Sequence, residues 1–310
     1  MKIDLIYLWV NGNDPVWQKK RNDFLGNAAE NTDVNCKGRY VDNEELKYSL
    51  RSAEKHAPWI RKFFIVTDNQ TPDWLDITNP KIQLIDHKEI LPEISLPCFN
   101  ASVIESYVYK IPGLSEHFLF ANDDTFFNAD VLPDFFFAKD GFPIVRLKKK
   151  TFGKWHYRLR FLAGTKPGTY RTIVHSAAVL VEKKTGKYYS GVPHHNIDAY
   201  KKSDFREVIE NVCAEQVKNS ETHHLRRYDD FHRSAIAYYT LAIEHGHLRY
   251  IDNRESLRIP VHKTDYAAYL KKYQPALLCL NDCLNTTDED RARIKPFLES
   301  LFSEKSVFEK

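Results

Sequence analysis

The 310-residue sequence lacks any apolar run of about 20 residues, the length that a helix needs to cross a bilayer. Its start, MKIDLIYLWVNG, lacks the apolar stretch and small-residue cleavage site of a signal peptide. The five cysteines are odd in number and include no CxxC pair, which is typical of reduced thiols in a cytosolic protein. We therefore expect a cytoplasmic protein whose contact with a membrane, at its inner face, is peripheral at most.

The sequence also lacks a large excess of positive or negative charge, and it lacks several common catalytic and nucleotide-binding motifs. Lysine and arginine number 45 against 42 acidic residues, a net charge of +3, and no nucleic-acid-binding motif accompanies it. The sequence has no Walker A loop, no GxGxxG fingerprint and no GxSxG elbow. P-loop kinases, Rossmann dehydrogenases and α/β-hydrolases are therefore disfavoured, and no nucleic-acid partner is expected.

Strand-like and helix-like segments alternate through the first half of the chain. The β-branched and aromatic residues of 3–10, 61–67, 81–85 and 118–121 predict strands, and 15–25, 42–57 and 101–111 have helical signals. Asp14 and Pro15 are typical of an N-cap and first helical residue, and Asp42 with Glu45 resembles a capping box. This alternation predicts parallel βαβ units in an α/β fold.

The second half of the chain is less regular. We expect strands and loops of an insertion in 141–190, helices from 197 to 244, a late buried strand at 277–281 and a final helix at 288–302. Residues 1–140 are then a Rossmann-like half that binds donor and metal. Residues 141–310 are an insertion and helical lobe that complete the site and return to the sheet near 277–282, within one catalytic domain.

The stretch HFLFANDDTFFNADV (117–131) places two adjacent carboxylates directly after an apolar strand. Asp123 and Asp124 repel each other and resist burial, so a divalent cation beside them would relieve the cost. The polar segments 11–14 and 68–70 also follow strands, and ligands of parallel sheets bind beyond the strand carboxyl ends. The plain alternative is that one aspartate caps a turn while the other faces water.

Three further groups are candidates for chemistry. Glu105 lies beside the apolar face of its helix and is either exposed or turned toward Asp124. His194 and His195 are either solvent-facing or able to exchange a proton near neutral pH. Arg226 and Arg227 either clamp a phosphate or pair with the aspartates that follow them.

Three segments resemble the conserved regions of the Stealth family: IDLIYLWVNGNDP (3–15), the block from 39 to 130, and LLCLND (277–282). The resemblance implies a transferase that moves hexose- or N-acetylhexosamine-1-phosphate from a UDP-sugar to a glycan hydroxyl and releases UMP. It implies phosphodiester links in a bacterial capsule or surface polysaccharide, with Mg²⁺ or Mn²⁺ as cofactor and an acceptor that is lipid-linked in some members. The fold expected is Rossmann-like and GT-A-like, a mostly parallel sheet with flanking helices and a helical second-half lobe.

The family's site residues transfer to positions of this sequence by motif. The acidic residues fall on Asp14, Glu105 and Asp124, the catalytic arginine falls on Arg226, and His194 is favoured as the base over His195. Metal ligands are expected among Asp123, Asp124, Glu105 and Asn281. Donor-binding residues are expected at Trp9, Asn11, Gly12, Asp42, Arg51, Asp68, Asn69 and Asn281, with Asp282 nearby.

Two other functions remain open at this point. A metal-dependent glycosyltransferase of the GT-A type would use the same acidic sheet edge and release UDP. A non-catalytic protein that binds sugar nucleotides would leave the histidine and arginine of the second half unexplained. The sugar, the acceptor hydroxyl, the number of additions and the oligomeric state do not follow from the sequence.

Overall fold

The structure, a computed structural model, describes residues 1–26, 35–150, 153–164 and 169–310. Its strands are β1 (Ile3–Leu8), β2 (Phe63–Thr67), β3 (Ile82–Asp86), β4 (His117–Asn122), β5 (Thr125–Phe127), β6 (Ile144–Lys148), β7 (Val192–Pro193), β8 (Asp198–Lys201), β9 (His247–Tyr250), β10 (Ser256–Pro260) and β11 (Leu277–Asn281). Its α-helices are α1 (Pro15–Leu25), α2 (Glu45–His56), α3 (His87–Ile90), α4 (Ala101–Tyr107), α5 (Gly153–Leu162), α6 (Thr169–Thr185), α7 (Lys202–Glu207), α8 (Ala214–Ser220), α9 (Ser234–Ala242), α10 (Tyr266–Tyr273), α11 (Asp288–Arg291) and α12 (Ile294–Leu301). From its Asn-rich composition, a polar loop is expected between the first helix and about residue 38, and most of it lies outside the described residues.

Five strands form the central sheet in the order β3-β2-β1-β4-β8. The first four are parallel, with Leu5 of β1 opposite Phe63 of β2 and Leu119 of β4, and β8 closes the edge antiparallel to β4. Alternate residues of each strand face opposite sides of the sheet, where Ile6 joins one apolar cluster and Leu5 joins another. Burial on both faces explains the nearly continuous apolar strands, and the mostly parallel α/β sheet expected from the sequence is confirmed.

The late strand at 277–281 is confirmed, but it lies outside the central sheet. β11 runs parallel to β10 and antiparallel to β5, in a separate three-stranded sheet. The chain turns at Asp123 and Asp124 between β4 and β5, so β5 leaves the central sheet and pairs with β11 instead. This turn brings the last conserved segment next to the two aspartates.

The expectation of strands and loops in 141–190 is wrong for most of that segment. It contains β6 and then the helices α5 and α6. Val174, Ala177, Ala178 and Val181 of α6 are buried in the core at helical spacing. The apolar residues of this helix do recur at helical spacing in the sequence, but they are small and only weakly apolar, so the pattern is hard to recognise.

Both predicted helix starts can be compared with the structure. Asp14 caps α1 by accepting a hydrogen bond from the Val16 amide at 2.8 Å, as expected. The capping box at α2 is wrong: the N-cap residue is Glu44, in the left-handed region with φ 65°, and it makes no side-chain cap. The Glu45 carboxylate instead accepts from the amide and side chain of Asn43, which turns it toward the cleft described below.

Within the described residues, no helix combines the length and the apolar composition that a bilayer crossing requires.

Candidate active site

A cleft of about 1010 Å³, counted to its open mouth, lies at the carboxyl ends of β1, β4 and β11. The cleft is lined by both aromatic and acidic side chains, with Asp123 and Asp124 at the end of β4. The aromatic side chains are Trp9, Trp17, Tyr40 and Phe99. The cleft thus offers flat apolar surfaces and a group of carboxylates within one space.

A second chamber adjoins the first and is rich in cations. It shares Arg39, Asn122, His195, Arg226 and Asn281 with the cleft. Beyond these shared residues it is lined by the cationic Arg171, Arg233 and Arg258, by the acidic Glu105 and by His232, whose pKa burial lowers to about 3. The shared residues therefore stand between a carboxylate-rich space and an arginine-rich one.

The carboxylates of the cleft carry an electrostatic cost. Burial raises the pKa of Glu45 to about 8 and that of Asp124 to about 6. Burial, followed by the charges of Glu45, Asp124 and Asp42, raises the pKa of Asp123 well above its usual range. Since like charges in a buried site disfavour ionisation, the cluster favours a proton or a cation.

Asp124 has room for such a cation. Its Oδ2 accepts a long hydrogen bond of 3.6 Å from the Cys279 thiol, whereas its buried Oδ1 has no hydrogen-bond partner among the described residues. Ligand atoms of Asp124, His195 and Cys279 lie within 4.8 Å of one another. An unpartnered buried carboxylate oxygen in an acidic cluster fits a divalent metal, which supplies the missing positive charge.

The two tandem histidines have different surroundings. His194 is only 2% exposed, and both of its ring nitrogens are engaged: Nδ1 lies 2.8 Å from Ser256 Oγ and Nε2 lies 3.0 Å from Asp198 Oδ1. His195 lines both spaces, and its Nε2 has one long contact of 3.4 Å with the Asn281 amide. His195 therefore presents its imidazole to the cleft, whereas both nitrogens of His194 are engaged and His194 does not line the cleft.

The electrostatic environment keeps His195 neutral. Burial lowers the pKa of His195 well below its usual value, and the positive charges of Arg258, Arg39 and Arg233 lower it further. A neutral imidazole at physiological pH can accept a proton.

The arginines of the second chamber also differ in their partners. Arg233 is ion-paired with Asp198 and with Glu105, whose Oε2 lies 3.2 Å from Arg233 Nε. Arg226 forms no ion pair within the part of the chain that the structure describes, and it faces both spaces. Arg226 therefore presents its guanidinium to both spaces, while Glu105 lies in the second chamber and not beside Asp123 and Asp124.

Asp14 and three of the predicted donor-binding residues belong to the segment that follows β1. The three are Trp9, Asn11 and Gly12. Gln70 donates to Asp14 Oδ2 at 3.0 Å and exchanges two hydrogen bonds with the backbone of Asn11. Gly12 packs closely against the backbone of Tyr40, and an added Cβ would lie 2.2 Å from the Tyr40 carbonyl oxygen. Trp9 lies in the cleft wall, whereas Asp14, Asn11 and Gly12 position that wall from behind.

Of the remaining predicted donor-binding residues, two hold aromatic side chains of the cleft in place and two do not line the cleft. Asp42 receives a hydrogen bond from the Trp9 side chain, and Asp68 accepts from Trp17 Nε1 at 2.9 Å, so each holds an aromatic side chain of the cleft. Asn69 is a turn residue with φ 55° that does not line the cleft. The prediction for Arg51 is wrong, because its guanidinium binds Glu309 through two hydrogen bonds of 2.7 and 2.8 Å, away from the cleft.

Sequence reasoning missed several residues of the two spaces. They are Arg39, Tyr40, Glu45, Arg233, Arg258 and Cys279. Cys279 was within reach, since it lies in the same LLCLND segment as Asn281. Arg233 and Arg258 had no local signal, because only the packing of α9 and β10 brings them to the chamber.

Solved structures with a related layout have very different sequences. The galactosyltransferase LgtC aligns over 98% of this chain and 96% of its own, with 10% identity and a TM-score of 0.46. The glycosyltransferase GlyE of Streptococcus pneumoniae TIGR4 aligns over 98% of this chain and 61% of its own, with 10% identity and a TM-score of 0.45.

Curated relatives match part of the chain at much higher identity. A capsular polysaccharide phosphotransferase, WcwK, of Streptococcus pneumoniae is 46% identical over 143 residues, which cover 46% of this chain and 43% of that protein. A receptor polysaccharide phosphotransferase, WefC, of Streptococcus oralis is 46% identical over 144 residues, again 46% of this chain and 43% of that protein. The match thus spans less than half the length of these relatives.

Two family models match segments that line the cleft. Residues 1–29 match Stealth protein CR1, conserved region 1, and residues 39–145 match Stealth protein CR2, conserved region 2. The first region contains β1 and the Asp14 cap, and the second contains α2, α4 and the Asp123–Asp124 turn. Over these two conserved regions, which lie within residues 1–145, the chain matches the Stealth family.

Proposed function

We propose that the protein transfers hexose- or N-acetylhexosamine-1-phosphate from a UDP-sugar to a glycan hydroxyl and releases UMP, forming phosphodiester links in a bacterial surface polysaccharide. One observation carries the proposal: Asp124, His195 and Arg226 face the same cleft from different parts of the chain. Phosphoryl transfer needs positioned charges and a proton acceptor more than a nucleophilic side chain. The names of the phosphotransferase relatives agree with this reaction class.

The donor fits the cleft in one direction. The aromatic side chains of Trp9 and Tyr40 suit the flat uracil base, and the pyrophosphate then reaches Asp124 and Arg226 where the two spaces meet. Asp123 and Asp124 would hold Mg²⁺ or Mn²⁺, which supplies positive charge to the pyrophosphate. The acceptor sugar enters from the second chamber, next to His195.

The transfer step uses residues of both halves of the chain. His195 accepts the proton of the acceptor hydroxyl, and the hydroxyl oxygen forms a bond to the β-phosphorus of the UDP-sugar. The bond between the β-phosphorus and the oxygen that bridges to the α-phosphate breaks, and UMP leaves with that oxygen. Arg226 neutralises the charge that develops on the phosphoryl oxygens. Glu105 and Asp198 orient Arg233 at the edge of the chamber.

We place this reaction in the cytoplasm, where nucleotide sugars are made and where the five unpaired thiols would remain reduced. An acceptor attached to a lipid would bring the enzyme to the inner face of the membrane.

The identity of the released nucleotide tests the proposal. Purified protein is incubated with a panel of UDP-sugars, Mg²⁺ or Mn²⁺ and an oligosaccharide acceptor, and the nucleotides are separated by chromatography. We expect UMP in amounts equal to the phosphodiester product. Release of UDP would replace the proposal with glycosyl transfer, and tight binding without turnover on an acceptor of proven competence would replace it with a binding function.

A further inference from the structure

Three side chains at the junction of the two spaces have the arrangement of a second kind of metal site. One ligand atom each from Asp124, His195 and Cys279 lies within 4.8 Å of the others. Asp124 Oδ2 and Cys279 Sγ are 3.6 Å apart, and the other oxygen of Asp124 is buried without a partner among the described residues. A cation at the centre of these atoms would engage an oxygen, a nitrogen and a sulfur together.

Rigid backbone holds the three residues in place. Cys279 of β11 is paired with Thr125 of β5, and the Leu280 amide donates to the Asp124 carbonyl at 3.0 Å. His195 lies between β7 and β8, where its neighbour His194 is bonded to Ser256 and Asp198. The ligands are therefore positioned by strand pairing and by a buried histidine, and little ordering is needed when a cation binds.

The donor set selects the type of cation. Mg²⁺ takes oxygen ligands in an octahedral arrangement, for which Asp123 and Asp124 are suited. Thiolate and imidazole favour borderline and soft cations, and sites with three protein ligands and an open fourth position are typical of Zn²⁺. The arginines near His195 oppose any cation, whereas the carboxylates of Asp123 and Glu45 near Asp124 favour one.

We propose that Asp124, His195 and Cys279 bind Zn²⁺ or a similar borderline divalent cation, and that this cation blocks sugar-phosphate transfer. Binding replaces the thiol proton of Cys279, which is released to solvent, by a sulfur–metal bond. The cation occupies the His195 nitrogen that accepts the acceptor proton and the Asp124 oxygen that holds Mg²⁺. The binding stands on the geometry alone, and the inhibition rests on the proposed function.

Cobalt provides a readout that is independent of activity. Co²⁺ replaces Zn²⁺ at sites of this kind, and a thiolate ligand gives a charge-transfer band in the near ultraviolet. We expect the full-length wild-type protein to show this band and Cys279→Ser to lose it, with the affinity for Zn²⁺ reduced at least about 10-fold. The matched control is Cys283→Ser, because Cys283 is the other thiol beside an imidazole, 3.7 Å from His262 Nδ1, and this variant should keep the band.

His195→Gln provides a second test if Cys279→Ser fails to fold. This variant keeps the thiol but loses the imidazole, so its affinity for Co²⁺ should fall at least about 10-fold. A wild-type protein without a thiolate band overturns the inference. So does a band that disappears in Cys283→Ser and persists in Cys279→Ser, or a Co²⁺ affinity that His195→Gln leaves unchanged.

The activity arm separates this inference from the proposed function. Zn²⁺ should stop Mg²⁺-supported release of UMP, a chelator should restore it, and Cys279→Ser should need at least about 10-fold more Zn²⁺ for the same inhibition. Zn²⁺ that binds without slowing UMP release overturns the inhibitory role. If no UDP-sugar yields UMP, the proposed function fails, and the cobalt band still decides whether the site exists.

Discussion

At the scale of single residues, the main feature of the cleft is a group of buried carboxylates that lie close to one another. The chain keeps Asp123, Asp124 and Glu45 in one cleft, although burial raises the pKa of each and neighbouring carboxylates raise it further. A protein selected for stability alone would replace one of them, because the ionised forms cost free energy in the folded state. The arrangement is explained by a ligand that brings positive charge.

The cost of this charge predicts a stabilising substitution. The pKa of Asp124 is raised to about 6 in the folded protein, so between about pH 4 and pH 6 the folded state binds a proton that the unfolded state does not. The free energy of unfolding of the wild type should therefore rise as the pH falls through that window. Metal-free Asp124→Asn should be more stable than the wild type by about 1 to 3 kcal/mol at pH 8, with the difference vanishing near pH 4. Urea unfolding with a chelator present at both pH values measures this, and a variant less stable at pH 8 would contradict it.

The two histidines predict opposite phenotypes. His195→Gln should reduce kcat by about 10²- to 10⁴-fold with little change in the midpoint of urea unfolding, since among the described residues the His195 ring has one long hydrogen bond with Asn281 and an edge-on contact with Tyr170. His194→Gln should lower the free energy of unfolding by about 1 to 3 kcal/mol, because Ser256 and Asp198 lose a buried partner. Steady-state kinetics and urea unfolding on both variants check the assignment. A larger loss of kcat in a fully folded His194→Gln would restore His194 as the base.

At the scale of elements, the loop after β1 and the segment around Tyr40 form one wall of the cleft through a close backbone approach. The Gly12 amide donates to the Tyr40 carbonyl at 2.7 Å, and no side chain fits between them. Here glycine is required by space and not by an unusual φ. The wall carries Trp9 and Tyr40, so its position sets the width of the cleft beside them.

Gly12→Ala should therefore weaken donor binding. Its Cβ would lie 2.2 Å from the Tyr40 carbonyl oxygen, so the segment must move, and we expect the Kd for a UDP-sugar to rise at least about 10-fold. Isothermal titration calorimetry measures this. Gly113→Ala is the control, since its glycine has φ +78° and open space around it: it should cost stability without changing the Kd. Equal affinity of Gly12→Ala and the wild type would show that the wall does not set the donor site.

At the scale of the whole molecule, the last residues of the described chain are anchored to the first half. Arg51 of α2 forms a two-point ion pair with the buried Glu309 and donates to the Phe302 carbonyl at 2.7 Å. Phe308 packs on Phe63 of β2 with ring centroids 5.0 Å apart. Arg51 therefore holds the 302–310 segment against the sheet, which is why it is unavailable to a donor.

This anchor predicts a loss of stability without a loss of binding. Arg51→Ala leaves the buried Glu309 carboxylate with only a distant ion pair, 3.9 Å from Lys47 Nζ, and should lower the free energy of unfolding by about 3 to 5 kcal/mol. The Kd for a UDP-sugar of the folded variant should match the wild type. Urea unfolding and calorimetry below the transition separate the two effects. A weaker donor affinity at full folding would return Arg51 to the donor site.

The sequence predicted a site residue well when the segment that positions it is adjacent in the chain, and poorly when that segment is distant. Asp123 and Asp124 were recognisable because the strand that positions them is adjacent in sequence, and Asp14 because its cap is local. Helix α6 was missed because its small apolar residues give a weak pattern. His195 could not be separated from His194 by sequence, since adjacent residues share every local signal and differ only in what packs around them.

By itself, the sequence determined the parallel α/β sheet, the match to the Stealth family and the acidic turn after β4. These depend on side-chain periodicity and on motifs that lie within one segment. Only the tertiary structure decided which histidine is accessible, that Arg51 is an anchor, and that Cys279, Arg233 and Arg258 lie near the carboxylates. The physical reason is that strand pairing and burial, which bring together residues more than a hundred positions apart, determine which side chain keeps an unpaired atom facing the cleft.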